Sequence, residues 1–215
     1  MFTYYKTYKE LSKKINNNGF EYVDLGLPSG TLWATMNVGA SKPTDGGLYF
    51  QWGDTKGYTK EQIGTGDGKK KFYWTDYKWN PSGDGKTFTK YNTAGEALEL
   101  KDDAAHVNMG GDWHMPTPEQ CQELIDNTTS EWTTSDDGVS GILFTSKNGK
   151  SIFIPAAGSA WNGSLFNSGS YGDVWSSMLF AGSVRNGQYL YFDSSYVDLV
   201  DDYRSSGFSV RGVLG

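Results

Sequence analysis

Residues 171–215 read YGDVWSSMLFAGSVRNGQYLYFDSSYVDLVDDYRSSGFSVRGVLG. Four strand-like pieces, VWSSML (174–179), QYLYFD (188–193), YVDLV (196–200) and FSVRGVL (208–214), alternate with short polar turns. The carboxyl end is therefore expected to be mostly strand and loop. Within QYLYFD, Leu190 and Phe192 alternate with Tyr189, Tyr191 and Asp193. A period of two sends the first pair to one face of a strand and the other three to the opposite face, so one side can be core while the other is displayed.

Toward the amino terminus, GILFTS (141–146) and SIFIP (151–155) flank Lys147-Asn148-Gly149-Lys150, and an Asn-Gly pair between strand runs is a strong hairpin signal. Thr117-Pro118-Glu119-Gln120 combines a capping Thr, a Pro at the first helical position and a Thr-x-x-Gln box. That helix is expected to run to about Asn127, with Cys121, Leu124 and Ile125 inward. EYVDLGL (21–27) and TLWATMNV (31–38), on either side of Pro28-Ser29-Gly30, predict a second hairpin, and LYFQW (48–52) is a further strand candidate. Residues 53–95 carry Gly, Lys and aromatics without periodicity and read as a long loop, functional or inserted. In residues 1–18, Tyr4, Tyr5, Tyr8, Leu11 and Ile15 recur at roughly helical spacing before an Asn run and Gly19 stop the pattern. This predicts a short helix or arm, an oligomerisation or attachment element, ahead of one domain over 19–215. Without an internal repeat, propellers and solenoids are set aside.

Composition narrows the function classes. The 215 residues include 8 Trp, 14 Tyr and 11 Phe, 15% aromatic, within an apolar fraction of only 37%. Each buried aromatic removes roughly 150–250 Å² from water, so a modest set can hold a loop-rich fold together. A net charge of −6 argues against a nucleic-acid partner and against anionic membranes. No apolar run is long enough to span a bilayer, and the opening lacks the apolar stretch of a signal peptide, so no membrane insertion is expected. The single Cys121 excludes an internal disulfide.

Catalytic and metal chemistry finds little purchase. His106 and His114, with Asp102, Asp103 and Asp112 nearby, match no zinc spacing. Asn80-Pro81-Ser82-Gly83-Asp84-Gly85 opens like a calcium loop, but Tyr91 stands where a bidentate Glu belongs, so a Gly-rich turn is the better reading. Asp198, Asp201 and Asp202 are an alternative Ca²⁺ set. GTGDGKK (64–70) lacks the spacing and hydroxyl of a phosphate loop, and there is no Gly-x-Ser-x-Gly elbow. Cys121 on an inward helix face reads as a buried thiol. No enzyme, cofactor or resident metal is expected.

Residue usage shifts near position 150. Every Lys and Glu lies at or before Lys150, and every Arg (Arg185, Arg204, Arg211) lies after it. Between Leu179 and Gly207 there is no Lys, Glu, Trp or Met, while Tyr, Asp, Ser, Gly and Val recur. That alphabet suits an antibody-like paratope, where Tyr supplies large contacts at low entropy cost and Ser and Gly adapt. It equally suits an edge-rich β region with solvated turns.

Three strings carry a family resemblance: EYVDLGLPSGTLWATMNVGA (21–40), DDAAHVNMGGDWHMPTPEQCQELI (102–125), and VWSS (174–177) followed by GFSVRGV (207–213). Together they resemble a family of Bacteroidetes proteins of the C-type-lectin-type fold, related to the formylglycine-generating enzymes. Placing a variable stretch between WSS and GFSVR is similar to the variable proteins of diversity-generating retroelements, in which adenines of a template are randomised and the altered residues form a ligand-binding face. AAC codons randomised in this way cannot yield Lys, Glu, Gln, Trp or Met, and within 179–207 only Gln188 departs from that rule. Family members often carry Pro after the final Arg, where this chain has Gly212.

The resemblance implies an α+β, C-type lectin-like fold with two or three helices, many short antiparallel strands and long loops. It also implies a non-enzymatic binding protein with a variable region at about 175–211, displayed on a phage virion or a bacterial cell surface. Trp175, Ser176 and Ser177 at one end and Gly207, Phe208, Ser209, Val210 and Arg211 at the other would be fixed scaffold. The expected contact residues are Phe180, Arg185, Tyr189, Tyr191, Asp193, Tyr196, Asp198, Leu199, Val200, Asp201, Asp202 and Tyr203, and the partner is a surface protein or glycan of another cell. The alternatives are a Ca²⁺-dependent lectin using Trp161 or the tyrosines, a tip protein with a fixed partner, and a formylglycine-generating-type enzyme. That last class depends on a cysteine pair, which Cys121 alone cannot supply.

Overall fold

The computed structural model describes residues 16–215. The helix or arm expected over residues 1–18 therefore falls largely outside the described residues. Its last part, β1 (Asn16–Asn17), pairs with β2 (Phe20–Asp24), which pairs in turn with β3 (Leu32–Asn37). After a long irregular stretch come α1 (Ala104–Met109) and α2 (Pro118–Asn127), then β4 (Thr128–Thr134), β5 (Ser140–Ser146), β6 (Ser151–Pro155), β7 (Ser159–Trp161) and β8 (Ser164–Phe166). The chain finishes with β9 (Tyr171–Leu179), β10 (Asn186–Asp193), β11 (Val197–Tyr203) and β12 (Arg211–Leu214). The strands form antiparallel sheets in the orders β1-β2-β3-β12, β4-β5-β6, β7-β8 and β11-β10-β9. The architecture is α+β, and the last strand returns to pair with the amino-terminal hairpin.

The predicted helix is held as its sequence requires. The Gln120 N–H donates to Thr117 Oγ1 at 3.2 Å and the Thr117 N–H donates to Gln120 Oε1 at 2.9 Å, so two otherwise orphaned donors are satisfied reciprocally. Cys121 and Leu124 face the main core, and Ile125 packs at its edge. That core gathers Val23 and Trp33 from the first hairpin, Ile142, Phe144, Ile152 and Ile154 from the second, and Val174, Leu190 and Phe192 from the last sheet. A second cluster joins Trp52, Trp113, Trp175 and Phe208.

Two expectations change. LYFQW is no regular strand: Tyr49 exchanges backbone hydrogen bonds with Tyr58 and Phe50 with Phe208, while the Leu48 and Trp52 N–H groups donate singly to Val38 and Arg204, so no one partner strand runs alongside. The segment is docked instead by reciprocal indoles, with Trp175 Nε1 donating to the Phe50 carbonyl at 2.8 Å and Trp52 Nε1 donating to the Ser176 carbonyl at 3.0 Å. β4 (TTSEWTT) is an addition, since a polar run with one Trp shows no alternation until β5 supplies a partner.

The stretch 53–95 folds around polar side chains that close local turns. Asp76 accepts from the backbone N–H groups of Lys71, Phe72 and Tyr73, and Asp84 accepts from Lys86, Thr87 and the Asn80 amide, which is what the calcium-like string does. Trp74, Tyr77 and Phe88 form a small buried cluster beneath it. Among the described residues no helix is long and apolar enough to cross a membrane.

Two glycines let the last sheet pack. A Cβ on Gly172 would stand 2.2 Å from Phe192 Cζ, and one on Gly187 would stand 2.9 Å from Trp52 Cδ1. One glycine makes room for the ring of its own cross-strand partner and the other for Trp52 from outside the sheet, and at these points only hydrogen fits.

Candidate ligand-binding face

The last sheet sorts its residues by alternation. Leu190 pairs with Val174 on one side and Leu199 on the other, and Phe192 with Gly172 and Val197. Leu190 and Phe192 are buried in the main core, with Val197 and Leu199 packed against it. Leu199 is therefore a support for the core rather than a displayed contact, because it shares the inward face of its strand with Val197. The opposite face carries Tyr171, Asp173, Tyr189, Tyr191, Asp198, Val200 and Asp202, as the pairing register requires.

That face has two ends. At one, the rings of Tyr171 and Tyr191 lie 5.7 Å apart and those of Tyr191 and Tyr196 lie 6.1 Å apart. The Tyr191 hydroxyl donates to Asp193 at 2.9 Å, and Tyr196, 49% exposed, donates to Asp198. Burial and the Asp193 bond push the Tyr191 hydroxyl up to about 12. Asp193 is held low by the N–H of Ser195, which closes the β10–β11 turn.

At the other end, Asp201 and Tyr203 follow the register of Val197 and Leu199 and lie past the core at the edge of the sheet, where Tyr203 is 5.6 Å from Trp161 and 5.3 Å from Trp74, and the Arg185 guanidinium sits 5.0 Å from the Tyr203 ring. Asp201 accepts from Asn186 Nδ2 at 2.6 Å. Phe180 stands at the turn joining β9 to β10, its ring over Gly182, beyond this cluster. A cleft of about 240 Å³ opens here beside Trp161 and Tyr203, with Ser159, Ala160, Asp202 and Ser206 completing its lining.

Tyr189 sits between the ends and is not freely displayed. Its ring lies 4.6 Å from Phe208 and 5.7 Å from Trp175, and burial pushes its hydroxyl upward. It is a wall of the face anchored on the second core cluster, because β10 crosses Trp175 at that register.

Beneath the face lies Asp173, 3% exposed, whose Oδ1 has no hydrogen-bond partner. Burial first, then the charge of Asp202, pushes its carboxyl up to about 8, against a smaller pull from the Ser159 hydroxyl. Asp202 is raised as well, chiefly by burial. Asp173, Tyr171 and Trp74 lie outside the window read from residue usage. The one signal for Asp173 in the sequence is an acid set between Gly172 and Val174 in a strand with no other charged residue.

The other polar candidates are structural. His106 Nδ1 lies 3.1 Å from the Trp113 carbonyl, and His114 contacts the carbonyls of Met115 and Gly215. Asp103 caps α1 by accepting from the His106 N–H and also receives the Met115 N–H. Asp102 binds Lys78, Lys90 and the Tyr91 hydroxyl. Cys121 is buried, and burial drives its thiol far up. Among the described residues no three acids, histidines or cysteines are grouped to hold a metal. A larger cleft of about 490 Å³ lies near Gly46, Tyr49, Lys60 and Ala157, and none of the expected contact residues lines it.

Compared with protein-family models, with curated proteins and with solved structures, the chain gives no significant match in any of the three.

Proposed function

We propose that this chain is a non-enzymatic binding protein of the C-type lectin-like fold, a variable protein of a diversity-generating retroelement. It would engage a surface protein or glycan of another cell through the β9–β11 face, from a phage virion or a bacterial cell surface. One observation carries the reading, the division of burial across residues 175–211. Every residue expected to be fixed, Trp175, Ser176 and Ser177 at one end and Gly207 to Arg211 at the other, is buried. None of the expected contact residues is fully buried, and Tyr196 and Tyr203 are exposed. A window whose ends are core, and whose middle alternates buried Leu190 and Phe192 with accessible side chains, can exchange the accessible ones without losing its frame. The two helices, short antiparallel strands and long loops agree with what the resemblance implies for the fold.

The gene neighbourhood tests this. A near-repeat of the 175–211 coding region, differing from it only at adenines and lying beside a reverse transcriptase gene, is the expected finding. A complete locus lacking such a repeat overturns the retroelement reading and leaves a binding protein with a fixed face.

A further inference from the structure

The strands of this sheet carry carboxyl groups that no side-chain cation balances. Asp173, Asp193, Asp198, Asp201 and Asp202 all belong to its strands, and among the described residues no Lys, Arg or His forms an ion pair with any of them. Arg204, adjacent in sequence, turns inward and donates to the carbonyls of Lys90, Tyr91 and Val184. Arg185 rests on Trp74 and Tyr203, without an ion pair to Asp202.

At the cleft this imbalance becomes local. Asp202 lines it, Ser159 lines it, and the buried Asp173 lies beside both with Oδ1 unpartnered. Burying a carboxyl without a counter-charge costs several kcal/mol, and a fold retains such a group at functional sites more often than elsewhere. Trp161 and Tyr203, packed on each other at 5.6 Å, line one side of it, and Arg185 already rests 5.0 Å from the Tyr203 ring, so this corner accommodates a cation beside an aromatic side chain. At about 240 Å³ the cleft falls below the roughly 300–1,000 Å³ of sites for drug-sized ligands, so it has room for one side chain rather than a chain of sugars.

We infer that the cleft lined by Ser159, Trp161, Asp202 and Tyr203 receives a cationic side chain, an arginine or lysine of a partner protein, with Asp202 as its direct counter-charge and the buried Asp173 behind the lining as a second one. This rests on the reading of the β9–β11 face as a binding surface and names the chemistry of its partner. Asp173 and Trp161 lie outside the variable window and would be the constant part of the site, whereas Asp202 lies inside it and could be exchanged. Because Asp173 takes up a proton readily, entry of the cation releases that proton, and binding tightens as pH rises from 6 to 8.5. The titratable groups facing Asp173 are Asp202, Tyr49, Tyr189 and Tyr191, all acids, and none supplies a competing positive charge.

N-acetyl-arginine amide and N-acetyl-lysine amide, with neutral N-acetyl-citrulline amide as control, would be titrated into the full chain and followed by amide and indole chemical shifts. The expected result is saturable, millimolar binding of the cations that moves the Trp161 indole N–H and the amides of 202–206. Citrulline should bind at least tenfold more weakly, the Asp202→Asn variant should lose at least tenfold, and affinity should rise several-fold between pH 6 and 8.5. Equal binding of citrulline, unchanged binding by Asp202→Asn, or shifts confined to other surfaces would overturn the inference. So would displacement of the amino-acid amides by millimolar Ca²⁺, which would make the site a metal site. The readout is independent of the gene-neighbourhood test: a locus without a template repeat leaves the cation site standing, and a locus with one does not rescue a cleft that ignores arginine.

Discussion

Replacing Asp173 by Asn should change how stability depends on pH. The carboxyl sits at about 8 in the folded chain and near 3.9 in an unfolded one. Between those values the folded state holds a proton that the unfolded state has released, so this group's contribution falls as pH rises from about 4 to 8 and levels off above that. Each pH unit in that window is worth at most about 1.4 kcal/mol, which gives a ceiling of about 4 kcal/mol between pH 5 and 8. The acids held low elsewhere in the chain, Asp84, Asp137 and Asp193, are ionised in both states above pH 5 and add no slope there. Urea unfolding of both proteins at pH 5, 6, 7 and 8 cancels every titration that does not feel Asp173, so the difference reads Asp173 together with its coupling to Asp202. Asp173→Asn should be close to the parent at pH 5 and more stable by about 2–4 kcal/mol at pH 8. With a urea slope of about 2 kcal/mol/M, that gain moves the midpoint by about 1–2 M. A difference that stays constant within about 0.5 kcal/mol from pH 5 to 8 refutes the argument, since it would mean Asp173 is already ionised and compensated.

The alternation along β10 and β11 predicts opposite outcomes for two rings. Phe192→Ala, in the main core, should cost about 3–5 kcal/mol, whereas Tyr196→Ala should stay within about 0.5 kcal/mol, both read from urea midpoints. Arg211→Lys should destabilise by about 2–4 kcal/mol, because the guanidinium donates to Asn37 Oδ1, the Ala34 carbonyl and the Phe153 carbonyl in a fork that an ammonium cannot reproduce. Cys121 should resist an aromatic disulfide reagent in the native protein and react at once in urea; rapid labelling of the native chain would contradict its burial.

Much of the frame was legible because its signals are local. The Asn148-Gly149 turn, the Thr117 box and the Leu190/Phe192 alternation each state their geometry within a few residues, and the structure carries all three. What local reading missed depends on distant partners. LYFQW looks like a strand, but its neighbours in space are Trp175 and Ser176, some 125 positions on, and they hold it by indole hydrogen bonds rather than by a ladder. Tyr189 and Tyr191 are equivalent by period, yet only Tyr189 lies across Trp175 and Phe208, so its ring is part of the scaffold. Leu199 was counted among the contacts because residue usage, unlike strand pairing, carries no information on which way a side chain points. Asp173 escaped notice because nothing in the sequence says that an acid in a central strand will find a second acid and no cation.

Arg204 is one position inside the window that the fold needs unchanged. If positions within the window are rewritten, most substitutions alter what the surface recognises, but loss of this one arginine would release three backbone carbonyls at once and loosen the cluster of Trp74, Tyr77 and Phe88 from the sheet. The population of useful copies is then set less by the number of letters in the window than by how often this position is left alone.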